Sequence, residues 1–365
     1  MLGWLRPALS NRSRQRGIAL VTVLISVAII TGLVSNLAYQ QFIQSRRAGV
    51  VLHREQAIMY LFAVEAYAKI LLNLDSIQSG TDSHTQLEPW GRGINNPFEG
   101  GNIKAAIIEL DGRFNLNNLR RLPTEEEINS GKQDVNLRSI WHECFKQLLG
   151  NYTEELKADT EALTEAVEDW LDEDVQQRAK GAEDIYYQSP SDLYGSYKPA
   201  NHLIGDVQEL ALIKGFEELF AETKAPTLLR QLAALPSTTT TINVNTATAE
   251  VLGCLEPEGR LTRNVANRII AARENTPFES LSGMIDLLNK EFPVKKMVTK
   301  EDGSTAEEVV TWDKLLPMRY LDVRSYFALL RAELSFGFSN LVAYSLLQRT
   351  PDGAVRILRR SMEPS

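Results

Sequence analysis

A chain of 365 residues exceeds what one ordinary hydrophobic core supports, so two or three domains are expected. The formal net charge of -8 argues against nucleic acid as the partner, because a phosphate-binding surface needs an excess of Lys and Arg. Two distant cysteines, Cys144 and Cys254, with only four histidines and no CxxC, argue against a zinc site.

From Ile18 to Ala38 the chain reads IALVTVLISVAIITGLVSNLA, without a charge. As a helix this run spans a bilayer core of roughly 30 Å. Arg6, Arg12, Arg14 and Arg16 precede it with no acidic residue, which predicts a cytoplasmic N-terminus and a translocated remainder. A secretory signal peptide would be shorter and end at an A-x-A-like site, whereas Tyr39, Gln40 and Gln41 follow here. No proline interrupts residues 18–74, and Ala57, Leu61, Val64, Ala68 and Leu71 recur at 4-3-4-3 spacing. One helix about 85 Å long is predicted, its second half offering an apolar stripe to a globular region.

From Asn102 the period changes to two, through Ile103, Ala105 and Ile107. Asp111-Gly112 reads as a hairpin turn, with Phe114 and Leu116 resuming the alternation. Strands are predicted again over 321–334, 340–348 and 354–360, with Pro351-Asp352-Gly353 as the last turn. A sheet assembled from both ends encloses an insertion over 119–318. Its segments 155–171, 203–220 and 263–274 carry helix-period apolar residues. Pro236-Ser237 and the threonines after it read as a linker, and 295–308 as a solvated excursion.

The boundary Arg16-Gly17-Ile18 resembles the processing site of type IV prepilins. In that family a peptidase removes a short basic leader after glycine and the new N-terminus is methylated; here the cut would fall between Gly17 and Ile18. The segments DGRFNLNNL (111–119), DWLDED (169–174), GAED (181–184), INVNTATAEVL (242–252) and VRSYFAL (323–329) are similar, in order and spacing, to the K-type minor pseudopilins of type II secretion. Most pilin-like chains carry glutamate as the fifth mature residue, where it neutralises the N-terminal amine of the subunit above. Thr22 stands there in this chain, a departure typical of the K-type subunit. A subunit with nothing above it has no amine to meet, and an unpaired carboxylate among apolar helices costs several kcal/mol.

The resemblance implies an α+β pseudopilin fold: a long N-terminal transmembrane and amphipathic helix packed on an antiparallel sheet, with a large inserted helical domain. It divides the chain into a leader (1–17), the helix and first part of the sheet (18–118), and an inserted helical subdomain with an acidic cluster (119–241). A second helical subdomain resembling a helix-hairpin-helix (242–318) and C-terminal strands (319–365) complete it. The implied function is a non-enzymatic minor pseudopilin that caps the type II secretion pseudopilus and initiates its assembly for protein export. Its partners would be other minor pseudopilins, the prepilin peptidase, inner-membrane lipid and the inner-membrane assembly platform. It would cross the inner membrane once, with a periplasmic C-terminal domain. Two further readings are a type IV pilus or competence minor pilin touching DNA, and a membrane-tethered periplasmic binding protein.

Chemistry-bearing residues concentrate in an acidic run relieved only by Arg178 and Lys180. Asp172, Asp174, Gln176 and Glu183 stand at positions one, three, five and twelve of an EF-hand-like loop, but Gln177 replaces the glycine needed at six. Crowded carboxylates either spread over a solvated face or hold a cation, and calcium fits all-oxygen donors in flexible geometry. The K-type resemblance implies calcium here, with Asp172, Asp174, Glu183, Asp184 and Asn201 as candidate ligands. Cys144 and Cys254 form one disulfide if this region is periplasmic, or two buried thiols otherwise. Arg260, Arg263, Arg268 and Arg273 leave phosphate binding open for the segment after Asn243, although Glu256 and Glu258 stand in its turn. Tyr186, Tyr187, Tyr194 and Tyr197 suit either a recognition surface or a cover over the core. No GxSxG, HExxH, GxGxxG or Walker A pattern suggests an enzyme.

Overall fold

A computed structural model describes residues 12–78, 89–120, 137–153, 158–188, 196–221, 225–256, 258–299, 305–337, 339–350 and 353–364. Tyr194 and the Pro351-Asp352 turn lie outside these residues. Helix α1 runs Arg12–Gln78, longer than the sequence predicts by at least a turn at each end. Its residues 18–38 are exposed throughout, and the helix is long and apolar enough to cross a membrane. Within that stretch the Thr22 hydroxyl donates to the Ala19 carbonyl at 2.9 Å, so its polar group is satisfied inside the helix.

The second half of α1 packs on a five-stranded antiparallel sheet, in the order β1-β2-β9-β10-β11. Its strands are β1 (Ile94–Phe98) and β2 (Gly101–Glu109) from one side of the insertion, and β9 (Phe327–Phe336), β10 (Ser339–Arg349) and β11 (Val355–Pro364) from the other. Ala57, Leu61, Val64, Ala68 and Leu72 face it, so the stripe ends one residue later than its spacing suggests; Leu71 is only partly buried. Ala105, Ala332 and Ala343 are directly paired across β2, β9 and β10 and are all buried in the same cluster. This row of small side chains lets a helix that itself contributes Ala57 and Ala68 lie close to the sheet. Ala332→Leu would overpack that row, with an expected loss of about 1–3 kcal/mol in urea unfolding. An ion pair between a buried carboxylate and an exposed arginine ties the helix to the sheet. Glu65, 2% exposed, accepts from Arg360 on β11 and from the Ser345 hydroxyl at 2.6 Å.

Between β2 and β9 the chain builds the insertion. Strand β3 (Phe114–Asn115) does not form the expected hairpin with β2; it pairs in parallel with β4 (Leu232–Ala233). The reason lies in Asp111 and Gly112. The Asp111 carboxylate accepts from the backbone N–H groups of Tyr326 and Phe327, at 2.9 and 2.7 Å, and so anchors the start of β9 instead. A Cβ on Gly112 would stand 2.7 Å from the Thr246 carbonyl carbon, so glycine is needed for backbone approach rather than for a turn.

Helices α2 (Leu137–Thr153) and α3 (Thr160–Leu171) follow, α3 capped by the Asp159 side chain. The helix expected over 203–220 is instead a 3₁₀ helix, Val207–Leu212, with an Asp206–Glu209 capping box, and a short helix, Glu217–Ala221. Gly215, at φ +84°, breaks the run between them. Strand β5 (Ile242–Asn243), helices α4 (Ala249–Gly253), α5 (Arg263–Asn275) and α6 (Leu281–Glu291), and strand β8 (Leu321–Asp322) complete the body. The excursion at 295–308 is a two-stranded hairpin of β6 (Val294–Thr299) and β7 (Thr305–Val310). There Lys295 and Lys296 meet Glu307 and Glu308 across the strands, a charge complementarity that composition alone does not reveal.

One continuous core runs through residues 119–241 and 242–318, from Phe114 to Val323. Stretch 236–241, linker-like in composition, is bracketed by buried asparagines. Asn115 donates to Ser237 O at 2.7 Å, and Asn118 exchanges bonds with the Thr240 backbone at 3.1 Å. Asn117 likewise ties Ile204 to Leu235. A disulfide joins Cys144 on α2 to Cys254 at the end of α4.

Candidate metal centre

Helix α3 delivers the acidic loop. Apart from Glu165 it is buried from Leu163 onward, and its C-terminal end, the negative end of the helix dipole, opens directly into Asp172. The chain leaves through Asp174 and returns at Glu183, which stands just before the short helix Asp184–Tyr187 without a side-chain bond to it. Gly181 makes the return possible. A Cβ there would stand 2.7 Å from the Asp169 carboxyl carbon and 3.1 Å from the Glu165 carbonyl oxygen.

Asp172, Asp174 and Glu183 each present a carboxylate oxygen within 4.8 Å of the others. Asn201 joins them. Its backbone N–H donates to Trp170 O at 3.0 Å and its side-chain Nδ2 to Asp174 O at 3.3 Å. Asn201 sits in the left-handed region at φ 49°, a conformation asparagine tolerates better than most residues. Asp184 does not join: its carboxylate bonds Lys198 and Gln188. Both Glu183 oxygens and Asn201 Oδ1 are buried with no hydrogen-bond donor among the described residues, and Glu183 is 4% exposed. Burial, and then the charge of Asp174, push the Glu183 carboxyl above the usual carboxylate range. Buried oxygens without donors beside two further carboxylates are what a hard cation requires, so the residues present fit calcium.

Arg178, inside the loop, holds the rest of the acidic run together. Its guanidinium contacts Glu168 at 3.0 Å and both Asp169 and Asp172 at 2.5 Å. Glu168 in turn meets His142 Nδ1 at 3.0 Å, and Glu161 meets His142 Nε2 at 2.9 Å. Burial opposes a charged His142, but the two carboxylates outweigh it and raise its pKa. At the junction of sheet and insertion, burial and the neighbouring Glu109 hold Asp111 well above the carboxylate range, and burial raises Glu109 itself. For the imidazole, the added stability is present below its ordinary pKa and fades as pH climbs through the raised value. For the carboxyls, the raised pKa penalises the charged folded form at higher pH. Both signs agree, so in EDTA the urea midpoint is expected to be higher at pH 6 than at pH 8.

The tyrosines form a cover. Tyr187 is 2% exposed against Trp170, with its hydroxyl accepting from Lys214 N, while Tyr197 donates to Leu212 O at 2.6 Å. All four arginines of the helix-hairpin-helix-like segment have internal partners. Arg260 meets Glu256 and Glu258, Arg263 meets Glu250, Arg268 meets Glu291, and Arg273 donates to Val244 O. The asparagines of INVNTA are engaged within the fold: Asn243 accepts from Asn245 N at 2.8 Å and donates to the Ser325 hydroxyl at 2.7 Å, and Asn245 exchanges two 2.9 Å bonds with Phe278. Sequence reasoning missed Arg178 as a bridge and Gly181 as a close-approach residue. The one available signal was a cation and a glycine placed inside an otherwise acidic run.

Models of the family described as type II secretion system (T2SS), protein K match residues 112–237 and 242–291. A type II secretion system protein K from Pseudomonas aeruginosa is 31% identical over 96% of this chain and 94% of its own length. One from Klebsiella pneumoniae is 30% identical over 74% of this chain and 79% of its own length. In solved structures, the fold is similar to a chain from the crystal structure of the GspK-GspI-GspJ complex from enterotoxigenic Escherichia coli. The TM-score is 0.65 at 20% identity, covering 87% of this chain and 100% of that one. With a long apolar N-terminal helix, a helix-on-sheet body and a helical insertion already described, this chain belongs to the type II secretion system protein K family, the K-type minor pseudopilins.

Proposed function

We propose that this chain caps the tip of the type II secretion pseudopilus and initiates its assembly together with other minor pseudopilins. The observation carrying this reading is Thr22. At the position where a shaft subunit needs a carboxylate for the amine above it, this chain has a hydroxyl already bonded to Ala19 O. The insertion adds bulk that a subunit within a shaft would have to accommodate between neighbours. The similar GspK chain was solved in complex with GspI and GspJ, and on this reading the corresponding minor pseudopilins are the partners here.

In the same reading α1 holds the subunit in the inner membrane, with arginines Arg12, Arg14 and Arg16 on the cytoplasmic side and the sheet and insertion in the periplasm. Prepilin peptidase cuts between Gly17 and Ile18 and frees the helix to leave the membrane with the growing filament. Calcium bound by Asp172, Asp174, Glu183 and Asn201 would neutralise the acidic loop and fix its path against α3. The protein's work is assembly, not catalysis.

The test is the mass and N-terminal residue of the full chain coexpressed with prepilin peptidase. A chain beginning at N-methylated Ile18, and an uncut chain for Gly17→Val, are expected. An intact leader in the presence of active peptidase would overturn the pilin-like reading.

A further inference from the structure

Where the outer face of the sheet meets the insertion there is a cavity of about 250 Å³. Its apolar wall is made by Leu110, Leu232, Leu329 and Leu346. Two cations, Arg113 and Arg359, line it as well. Arg359 donates to Gly205 O and stands 3.9 Å from Asp206, whose carboxylate also caps Gln208 N. Arg113 is different. It is half-buried, burial lowers its pKa, and its side chain has no hydrogen-bond acceptor among the described residues. The opposite charge acting on it is Glu109, whose oxygens are engaged by Gly112 N and the Ser325 hydroxyl, and Arg230 adds repulsion.

A half-buried guanidinium with no protein acceptor among the described residues presents a planar fork of donors that an acceptor entering the cavity can take up. Two arginines against one aspartate leave the cavity with a positive balance. The volume falls below the roughly 300–1,000 Å³ of drug-sized pockets, which points to an occupant the size of one amino-acid residue. We propose that this cavity binds a carboxylate carried on an aliphatic body, the carboxylate meeting Arg113 and Arg359 and the aliphatic part lying on the leucines. A free small acid and the C-terminal residue of another polypeptide share that chemistry. The site is separate from the metal centre and does not depend on tip capping.

The experiment uses the full chain in detergent micelles with leucine methyl groups labelled, so that the cavity wall itself reports binding. N-acetyl-leucine is titrated against its uncharged counterpart N-acetyl-leucinamide, with a hexapeptide ending in a free leucine carboxylate as a third arm. The acid is expected to bind with a dissociation constant of about 1 mM, as suits a dozen heavy atoms, and at least about tenfold more tightly than the amide. Arg113→Met is expected to erase that preference and Arg113→Lys to restore part of it. Binding of the hexapeptide assigns the site to a polypeptide terminus, and binding of the small acid alone assigns it to free acids. Equal binding of acid and amide would overturn the proposal, as would a preference unchanged in Arg113→Met or the absence of any methyl shift.

Discussion

Replacing Cys144 and Cys254 together by alanine is expected to cost about 4–5 kcal/mol of stability, read as a lower urea midpoint. The bond closes 110 residues of chain, and both cysteines are at most 1% exposed. It ties α2 to the end of α4, so one covalent link spans the two stretches on either side of 236–241. Without it the unfolded chain regains the entropy of that large loop. Loss of the sulfur atoms from a packed core adds to the cost. The effect should be matched by growth in a strain lacking periplasmic disulfide oxidation, where the wild-type chain would accumulate less. An unchanged midpoint would mean that the bond adds nothing to the stability of this core.

The second large effect concerns the acidic loop. With a dissociation constant of about 0.1 mM, in the range of extracellular calcium modules, 10 mM calcium would stabilise the protein by about 2.7 kcal/mol over EDTA. For a body of this size that is a rise of roughly 5–11 °C in thermal midpoint. Glu183→Gln separates this from a nonspecific salt effect. The amide keeps the shape but removes a buried charge that Asp174 repels, so the variant should be more stable than wild type in EDTA. It should also lose most of the calcium response. Asp184→Asn, at a carboxylate engaged with Lys198 and Gln188, is expected to leave that response intact. Magnesium should substitute poorly, because it demands a tighter and more regular octahedron.

Much of the fold was legible because it rests on periodicity. The stripe from Ala57 to Ala68 and the alternation from Ile103 to Ile107 mark one face each, and the strands read over 321–334, 340–348 and 354–360 supply the other end of the sheet. The asparagine motifs were visible as text but not as structure. Nothing local says that Asn115 and Asn118 reach Ser237 and Thr240, more than a hundred residues away. The chain does turn at Asp111-Gly112, with Arg113 N donating to Leu110 O at 3.1 Å. The expected hairpin fails for the same reason: long-range bonds to Tyr326 and Phe327 anchor Asp111, and β3 pairs with β4. Of the acidic loop, spacing picked out Asp172, Asp174 and Glu183, which do converge. Asp184, adjacent in sequence to Glu183, turns instead toward Lys198, a divergence that only the helix following Glu183 determines.

The most direct measurement is the position of this chain on isolated pseudopili. An epitope inserted between β6 and β7, on a hairpin apart from the sheet and the acidic loop, can be marked with gold and seen by electron microscopy. A capping subunit that lacks the fifth-position carboxylate should appear once per filament, at one end only. Label distributed along the shaft would contradict the account.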